Sequence, residues 1–241
     1  MFIFAEGDTS YMIKLLYKLG YKLFGSDVYL TTTHVAMIIT TVVLLGFFVA
    51  ANISIRRALK QDAVTKPGGF LNVVELIVEK LDGISSEGMG NHANKFRNYI
   101  GTLFIFILFN NICGIFGLRA PTADYGVTLC LGLITFFLIH YNGIKKNKAG
   151  HFTALFKPLP FLFPINVISE VATPLSLSLR LFGNVMSGTV MLGLWYGLMP
   201  LVFRFGIPAA LHCYFDLFSG AIQAYVFCML TMVYIEDKIA D

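Results

Sequence analysis

The sequence predicts an all-α polytopic membrane protein, and three observations carry that prediction. Of the 241 residues, 56% are hydrophobic and only 13% are charged, whereas a soluble domain carries about 25% charged residues. The mean hydropathy is +0.72. Apolar runs as long as a bilayer-spanning helix, roughly 20 residues, recur along the chain. The 18 Lys and Arg and 14 Asp and Glu side chains are too few to cover a soluble core of this size.

Composition and motifs also exclude several classes of function. The net charge is +4, but the basic residues are dispersed among apolar runs, which argues against a nucleic-acid surface. Cys113, Cys130, Cys213 and Cys228 have no CxxC spacing and lie in apolar stretches, so we expect reduced, structural thiols. The sequence contains no Walker A, HExxH or GxSxG pattern. We therefore expect no nucleotide, zinc or serine chemistry, no cofactor and no metal.

The first segment, residues 1–33, precedes the first long apolar run. Within it Lys14, Lys18 and Lys22 are spaced four residues apart, and each is followed by a leucine. This spacing places the lysines on one face of a helix. We therefore predict an amphipathic helix over residues 11–24 that lies at the membrane interface.

Three apolar runs predict upright transmembrane helices. The first helix covers residues 34–55, and the other two form a hairpin over residues 99–143 with a short turn at 119–124. The last region, 161–241, is too long for two simple crossings and is interrupted by polar residues, Gly and Pro. This region therefore needs a different explanation from the first three helices.

Two basic loops connect these regions and predict the orientation of the chain. Loop 56–98, which contains a predicted amphipathic surface helix, holds seven Lys and Arg residues, and loop 144–160 holds four. The loops on the opposite side carry Arg119 and Arg204. Because basic residues accumulate on the inner side of a membrane, both loops are predicted inside, the N-terminus outside and the C-terminus inside. The surface helix is predicted over residues 70–84.

The last region contains three ionisable residues where a membrane helix should be apolar: Glu170, Arg180 and Asp216. A charge at the centre of such a helix costs about 2.5–3.5 kcal/mol on insertion scales, so each is a candidate functional residue. Two polar stripes contain them. The first stripe is Ser169, Thr173, Ser176, Arg180, Asn184 and Ser187, and the second is His212, Asp216, Ser219 and Gln223. Spacings of three and four put each stripe on one helical face, which predicts a proton or ion path along or between two helices.

Arg180 admits two interpretations at this stage. In the first, Asp216 or Glu170 only neutralises it in a structural ion pair. In the second it is a fixed positive charge, because a guanidinium does not give up its proton in a protein. Such a charge attracts a carboxylate on a partner, favours its ionised form and repels leaking cations. The stripes favour the second interpretation, since a structural ion pair does not need so many polar neighbours.

Residues 174–184, with the sequence PLSLSLRLFGN, closely resemble the signature of the subunit a family of F-type ATP synthases, the stators that carry ions past a rotor ring. Two further blocks resemble the same family. One comprises NNICG at 110–114, PTAD at 121–124 and VTL at 127–129, and the other is QAYVFCMLTMVY at 223–234. Together the blocks cover most of residues 100–236.

The resemblance implies a role for each matching position. Arg180 is the essential arginine that faces the rotor carboxylate. Asn184 and Gln223 line the same stator–rotor seam. Asp124 belongs to the access path on the outer side, and Glu170, ten residues before the arginine, belongs to the inner one.

Two positions depart from a familiar bacterial pattern of the family. Thr189 stands where that pattern has a glutamate, and Asp216 stands where it has a histidine. Asp216 is therefore expected to carry the outer-path ionisable role alone, and His212 shares its helical face. The remaining seam residues are expected to be Thr173, Ser176 and Ser187.

The resemblance also implies an architecture for the last region. Residues 161–241 are expected to form a long, strongly tilted helical hairpin that packs on the rotor ring. Pro200, Gly206 and Pro208 are expected to mark its turn.

The function implied is transport of protons or sodium ions through two half-channels to drive rotation and ATP synthesis. The expected partners are the c-ring, subunit b of the peripheral stalk, the remaining ATP synthase subunits and membrane lipid. The chain itself is expected to be neither an enzyme nor nucleotide-binding. The expected location is a bacterial plasma membrane, with a mitochondrial inner membrane as the alternative.

A self-contained secondary transporter with an Arg/Asp site in broken helices is the alternative function. Such transporters usually contain paired internal repeats, and the sequence shows no convincing repeat. A stable, isolated, substrate-binding chain would favour the transporter, and copurification with a ring of small hairpin subunits would favour the stator.

Overall fold

The computed structural model describes residues 15–23, 26–60, 69–116, 118–147, 160–200 and 206–239. Two strands open the described chain, β1 (Leu15–Leu23) and β2 (Ser26–Thr31). The helices are α1 (Thr32–Lys60), α2 (Gly69–Met89), α3 (Ala93–Ile112), α4 (Tyr125–Asn147), α5 (Phe163–Leu198), α6 (Ile207–His212) and α7 (Gly220–Ile239). A π-helical stretch, Cys213–Ser219, joins α6 to α7 without a break.

Five helical segments of the described chain are long and apolar enough to cross a membrane. They are Thr32–Ala58, Ala93–Phe116, Tyr125–Lys146, Phe163–Leu198 and Ile207–Ile239. This confirms the prediction of an all-α polytopic membrane protein. The last region contains two of these segments, of 36 and 33 residues, each longer than the roughly 20 residues that an upright crossing needs.

The helices extend beyond the apolar runs that predicted them. Helix α1 continues past Arg56, whose Nε donates a hydrogen bond to Asn52 Oδ1 at 2.9 Å. Helix α3 begins at Ala93, six residues before the predicted start, and includes Lys95 and Arg97. Lysine and arginine are good helix formers, so a charge ends the apolar run without ending the helix.

The predicted amphipathic helix over 11–24 is wrong for the residues that the structure describes. Leu15–Leu23 is a strand that pairs antiparallel with Ser26–Thr31, with Lys18 opposite Tyr29 and Leu19 opposite Val28. A spacing of four residues is even, so it puts lysines on one face of a regular strand as well as of a helix. Tyrosine and valine favour strands and glycine disfavours a helix interior, and these residues decide between the two. Positions 11–14 and 24 lie outside the described residues.

Helix α2 confirms the predicted helix over 70–84 and extends it to Gly69–Met89. Val74 is buried, Ile77 and Leu81 are half-buried, and the acidic residues between them are mostly exposed. Val74, Ile77 and Leu81 thus lie on the apolar face that the sequence pattern predicts, whereas Val73, which the pattern also puts there, is 52% exposed.

The described residues form two compact units. The first unit takes its residues from Met1–Ile39, Ile107–Leu133 and Pro174–Ala224. The second takes them from Thr40–Phe106, Ile134–Thr173 and Tyr225–Asp241. Leu181 and Ala224 are fully buried in the first unit, as are Met232 and Ile235 in the second.

In the first unit, α4 and α5 approach each other closely at Gly132. A Cβ added there would lie 2.8 Å from the backbone oxygen of Pro174 and 3.4 Å from the Cβ of Ser178. A backbone atom cannot move aside as a flexible side chain can, so the two helices would have to separate. Glycine is therefore required by packing at this position.

We expect Gly132→Ala to destabilise the protein by about 1–3 kcal/mol, the usual cost of overpacking. The measurement is thermal unfolding in detergent, compared with the parent chain. Gly46→Ala on α1 is the matched control, because no atom of the described residues lies within 4 Å of the added Cβ. Equal loss of stability in both variants would contradict the proposed close contact.

Candidate ion path

Arg180 is exposed on α5 in the first unit, and Ser176 and Ser187 are exposed on the same helix. None of the ion pairs among the residues that the structure describes includes Arg180. Asp216, one of the two internal partners offered by the sequence, is instead in contact with His212. The positive charge of Arg180 is therefore presented at the surface of its unit.

Asn184, the next polar residue of the first stripe, holds α5 to the π-helical stretch. Its Nδ2 donates to the backbone oxygen of Ser219 at 3.3 Å, and Ser219 Oγ donates to Asn184 Oδ1 at 2.8 Å. Both hydrogen bonds lie within the first unit. The amide of Asn184 is thus already used for packing within this unit.

The hydroxyl groups of three other predicted residues donate within α5. Ser187 Oγ donates to the Asn184 oxygen at 2.9 Å, Thr189 Oγ1 to the Val185 oxygen at 2.9 Å, and Thr173 Oγ1 to the Ser169 oxygen at 3.1 Å. Such bonds to the preceding turn are common for Ser and Thr in helices. The hydroxyl oxygens can still accept a hydrogen bond from water, but their protons are engaged.

The side chains of Asp216 and His212 are in direct contact in the first unit. Asp216 Oδ2 lies 2.6 Å from His212 Nδ1, and the side chains are 16% and 28% exposed. Asp216 belongs to the π-helical stretch, and π-helical turns occur often at functional sites. The stripe predicted from α-helical spacing therefore passes through a π-helical turn, although its first two members still meet.

Gly114 makes room for the Asp216 carboxylate. A Cβ added to Gly114 would lie 2.6 Å from Asp216 Oδ2 and 3.0 Å from its Oδ1. The close approach therefore needs a residue without a side chain. The sequence gives no sign of this contact beyond the glycine itself.

Gln223, the last member of the second stripe, is 7% exposed. Its Nε2 is buried and has no hydrogen-bond partner among the described residues. A buried polar group without a partner costs about 1–3 kcal/mol. The amide is thus suited to a partner outside the described residues, such as water or a second protein.

Asp124 has a clear local role at the start of α4. Its Oδ1 accepts a hydrogen bond from the backbone N–H of Gly126 at 3.0 Å, which caps the N-terminus of the helix. Burial lowers the pKa of the nearby Arg119 guanidinium, and the charge of Asp124 raises it. The guanidinium still remains protonated, because an arginine does not titrate in a protein. Helix capping thus accounts for Asp124 in this structure.

Glu170 lies in a cluster of charged residues in the second unit. One carboxylate oxygen is hydrogen-bonded to Lys238 Nζ, and the other, Oε2, is 3.5 Å from His140 Nε2. The cluster borders a cavity of about 170 Å³. The cavity is lined by Phe136, Ile139, His140, Ser169, Glu170, Thr173, Tyr234, Asp237 and Lys238. Thr173, predicted as a seam residue, therefore lies beside Glu170.

The sequence did not predict that His140 and Lys238 contact Glu170. The two residues are separated from Glu170 by 30 and 68 positions, and no spacing links them. The three residues share one signal in the sequence, because each lies near the predicted inner end of its helix. The position of His140 near the inner end of the predicted hairpin is typical of an interfacial histidine with a local partner, and its Nδ1 does bond to the Phe136 oxygen at 3.0 Å.

Comparison with known proteins assigns the chain to a family. A sequence profile described as ATP synthase A chain matches residues 34–236. The protein from Propionigenium modestum named ATP synthase subunit a, sodium ion specific, is 42% identical over 184 residues, which are 69% of this chain and 62% of that protein. This chain thus spans less than two thirds of that relative.

Two other relatives are matched over more of their length. ATP synthase subunit a of Priestia megaterium is 36% identical over 191 residues, which are 73% of this chain and 81% of the relative. ATP synthase subunit a of Staphylococcus saprophyticus is 34% identical over 240 residues, which are 92% of this chain and 96% of the relative. The residues that the profile matches, 34–236, include Arg180 and most of each of the five apolar helical segments. The chain belongs to the ATP synthase subunit a family.

Proposed function

We propose that this chain is the ion-conducting stator of an F-type ATP synthase. With a ring of rotor subunits, it moves protons or sodium ions across the membrane through two half-channels, and the ion flow drives rotation and ATP synthesis. The observation that carries this proposal is the exposed Arg180, which lies in the family's signature and is in none of the ion pairs of the described residues.

Arg180 is a fixed positive charge of this chain that faces the rotor. When a rotor carboxylate comes close to the guanidinium, the positive charge favours the ionised form and so expels the bound ion. The same charge repels cations that would otherwise pass directly from one half-channel to the other. Separation of the two half-channels by one permanent cation is what converts ion flow into rotation.

The outer half-channel uses the ionisable residues of the first unit. An ion enters past Asp124 and reaches Asp216, whose carboxylate is in contact with His212 at 2.6 Å. From there it passes to the rotor carboxylate. Gln223 supports this assignment, because its buried Nε2 has no partner within the described residues and can bind a rotor group or path water.

The inner half-channel uses Glu170, whose charge cluster borders a cavity of about 170 Å³. An ion released by the rotor near Arg180 leaves past this carboxylate. Moving one charge through 100 mV is worth about 2.3 kcal/mol, so several ions must pass for each ATP. The nucleotide chemistry belongs to other subunits of the complex, and the peripheral stalk, through subunit b, holds this chain stationary.

The membrane and orientation follow from the same proposal. The chain is a multi-pass protein of a bacterial plasma membrane, with the N-terminus outside and the C-terminus in the cytoplasm. The basic residues of loops 56–98 and 144–160 support this orientation.

Reconstitution into liposomes tests the proposed function. Complexes assembled with this chain are expected to pump ions when ATP is added, and complexes assembled without it are expected to hydrolyse ATP without pumping. Adding sodium at constant ionic strength distinguishes the coupling ion, because stimulated hydrolysis indicates sodium. The test is motivated by the sodium-specific name of one relative. If the purified chain alone accumulated a solute, the secondary transporter would be the better assignment.

A further inference from the structure

The cluster around Glu170 contains a feature that the proposed function does not use. His140 Nδ1 lies 3.0 Å from the backbone oxygen of Phe136. A carbonyl oxygen only accepts hydrogen bonds, so Nδ1 must carry the hydrogen of this contact. In the neutral ring the other nitrogen, Nε2, is then an acceptor.

The acceptor Nε2 faces another acceptor. It lies 3.5 Å from Glu170 Oε2, and an ionised carboxylate has no proton to donate. Two acceptors cannot form a hydrogen bond unless a proton is added between them. The pair can therefore bind one proton. The proton lies either on His140, as an imidazolium beside a carboxylate, or on Glu170, as a carboxylic acid beside a neutral imidazole.

Lys238 prevents Glu170 from turning away from this gap. Its ammonium group binds the other carboxylate oxygen, Oε1, and cannot accept a proton while it remains charged. The charge also disfavours a metal cation at Glu170, because like charges repel. The other titratable groups that line the same cavity, Tyr234 and Asp237, both come from α7.

The cluster is open enough to exchange protons with water. The side chains of His140, Glu170 and Lys238 are 24%, 22% and 25% exposed. Histidine is the side chain that gains and loses a proton most readily near neutral pH. Adding a proton would draw Nε2 and Oε2 together toward a charge-assisted hydrogen bond of about 2.7–2.9 Å.

We propose that His140 and Glu170 share one proton and load and release it for the inner half-channel, with Lys238 as a positioning residue. This inference rests on the proposed function and adds that the ion handled at this point is a proton. In synthesis, a proton released by the rotor passes through water to the gap and leaves to the inner aqueous phase. In ATP-driven pumping the same steps run in reverse, and only bonds to that one hydrogen form and break.

The test is ATP-driven proton pumping in inverted membrane vesicles that contain the complete complex, because their inner side faces the medium. Each variant's rate is divided by the parent rate at the same pH, so the pH dependence of nucleotide chemistry cancels. For His140→Gln we expect this ratio to be about one half near pH 6 and about one tenth near pH 8. The ratio falls because protons become scarce at high pH and the variant has no group that captures them.

A matched control and a second variant separate this role from a structural one. His92→Gln removes another histidine in contact with α7, where it pairs with Glu236 at 3.0 Å, and its ratio should stay near one at every pH.

Glu170→Gln should lower the ratio in the same pH-dependent way. The double variant His140→Gln/Glu170→Gln should pump no more slowly than the slower of the two single variants, because both substitutions remove the same shared proton. The amount of this chain in each purified complex corrects the rates for assembly.

Four results would overturn the inference. A His140→Gln ratio that matches His92→Gln, or that falls equally at all pH values, would leave His140 without a proton-handling role. Additive losses in the double variant would mean that the two residues act separately. Sodium pumping without proton movement would also overturn it, and the stator assignment would then stand. Retained pumping by Arg180→Ala would instead count against the stator assignment itself.

Discussion

Replacing Arg180 with alanine is expected to abolish ATP-driven ion pumping by vesicles that contain the complete complex. The soluble sector should still hydrolyse ATP once it is detached from the membrane. The reason is that the guanidinium is the permanent charge that forces ion release, and no other cation of the described part of α5 can replace it. Proton or sodium uptake into inverted vesicles, measured beside ATP hydrolysis, tests the expectation.

Two control variants make the Arg180 experiment specific. Arg97→Ala removes another exposed arginine, one that is paired with Asp82 at 3.1 Å, and should leave pumping nearly unchanged because exposed ion pairs contribute little. Arg180→Lys keeps a positive charge but loses the planar fork of the guanidinium, so intermediate activity is expected. Coupled pumping retained by Arg180→Ala would refute the stator role of this residue.

Asp216→Asn is expected to have the second-largest effect, a loss of pumping of about 100-fold, the size of a typical acid–base contribution. The amide has the shape of the carboxylate but carries no charge and cannot transfer the ion to the rotor. It can still contact His212 and fit against Gly114, so the fold should be retained. Initial rates of ATP-driven pumping, corrected for the amount of assembled complex, are the measurement.

The control for Asp216→Asn is the same change at Asp82. That carboxylate pairs with Arg97, and the two side chains are 35% and 48% exposed. Asp82→Asn should therefore pump at close to the parent rate. Activity of Asp216→Asn equal to that of Asp82→Asn would remove Asp216 from the outer half-channel and leave it as a packing residue.

The helices could be predicted from the sequence because a membrane helix depends mainly on hydropathy over about 20 residues. Helix α4 begins at Tyr125, directly after the predicted turn at 119–124, and Asp124 caps it. The N-terminal strand pair was missed because lysines four residues apart suit a helix and a strand equally. The predicted tilt and turn of the last region stay predictions, although Gly206, with φ of 84°, and Pro208 in the first turn do mark the start of α6.

The site could be predicted where one residue alone departs from its surroundings. Arg180 stands out because a charge in an apolar helix is costly, and Asp216 and Glu170 stand out for the same reason. Contacts between distant positions could not be predicted from one sequence. Lys238 beside Glu170 is the clearest example, because its place at the end of a membrane helix is otherwise ordinary.

The π-helical stretch Cys213–Ser219 has a consequence for tolerance to insertions and deletions. A π turn contains one residue more than an α turn over the same path. Loss of one residue there can convert the stretch to α-helix and leave the flanking helices facing as before. Loss of one residue within α5 would instead rotate everything that follows by about 100°. The chain can therefore lose one residue from the stretch that precedes Gln223, and the side-chain amide of Gln223 will still face the same direction.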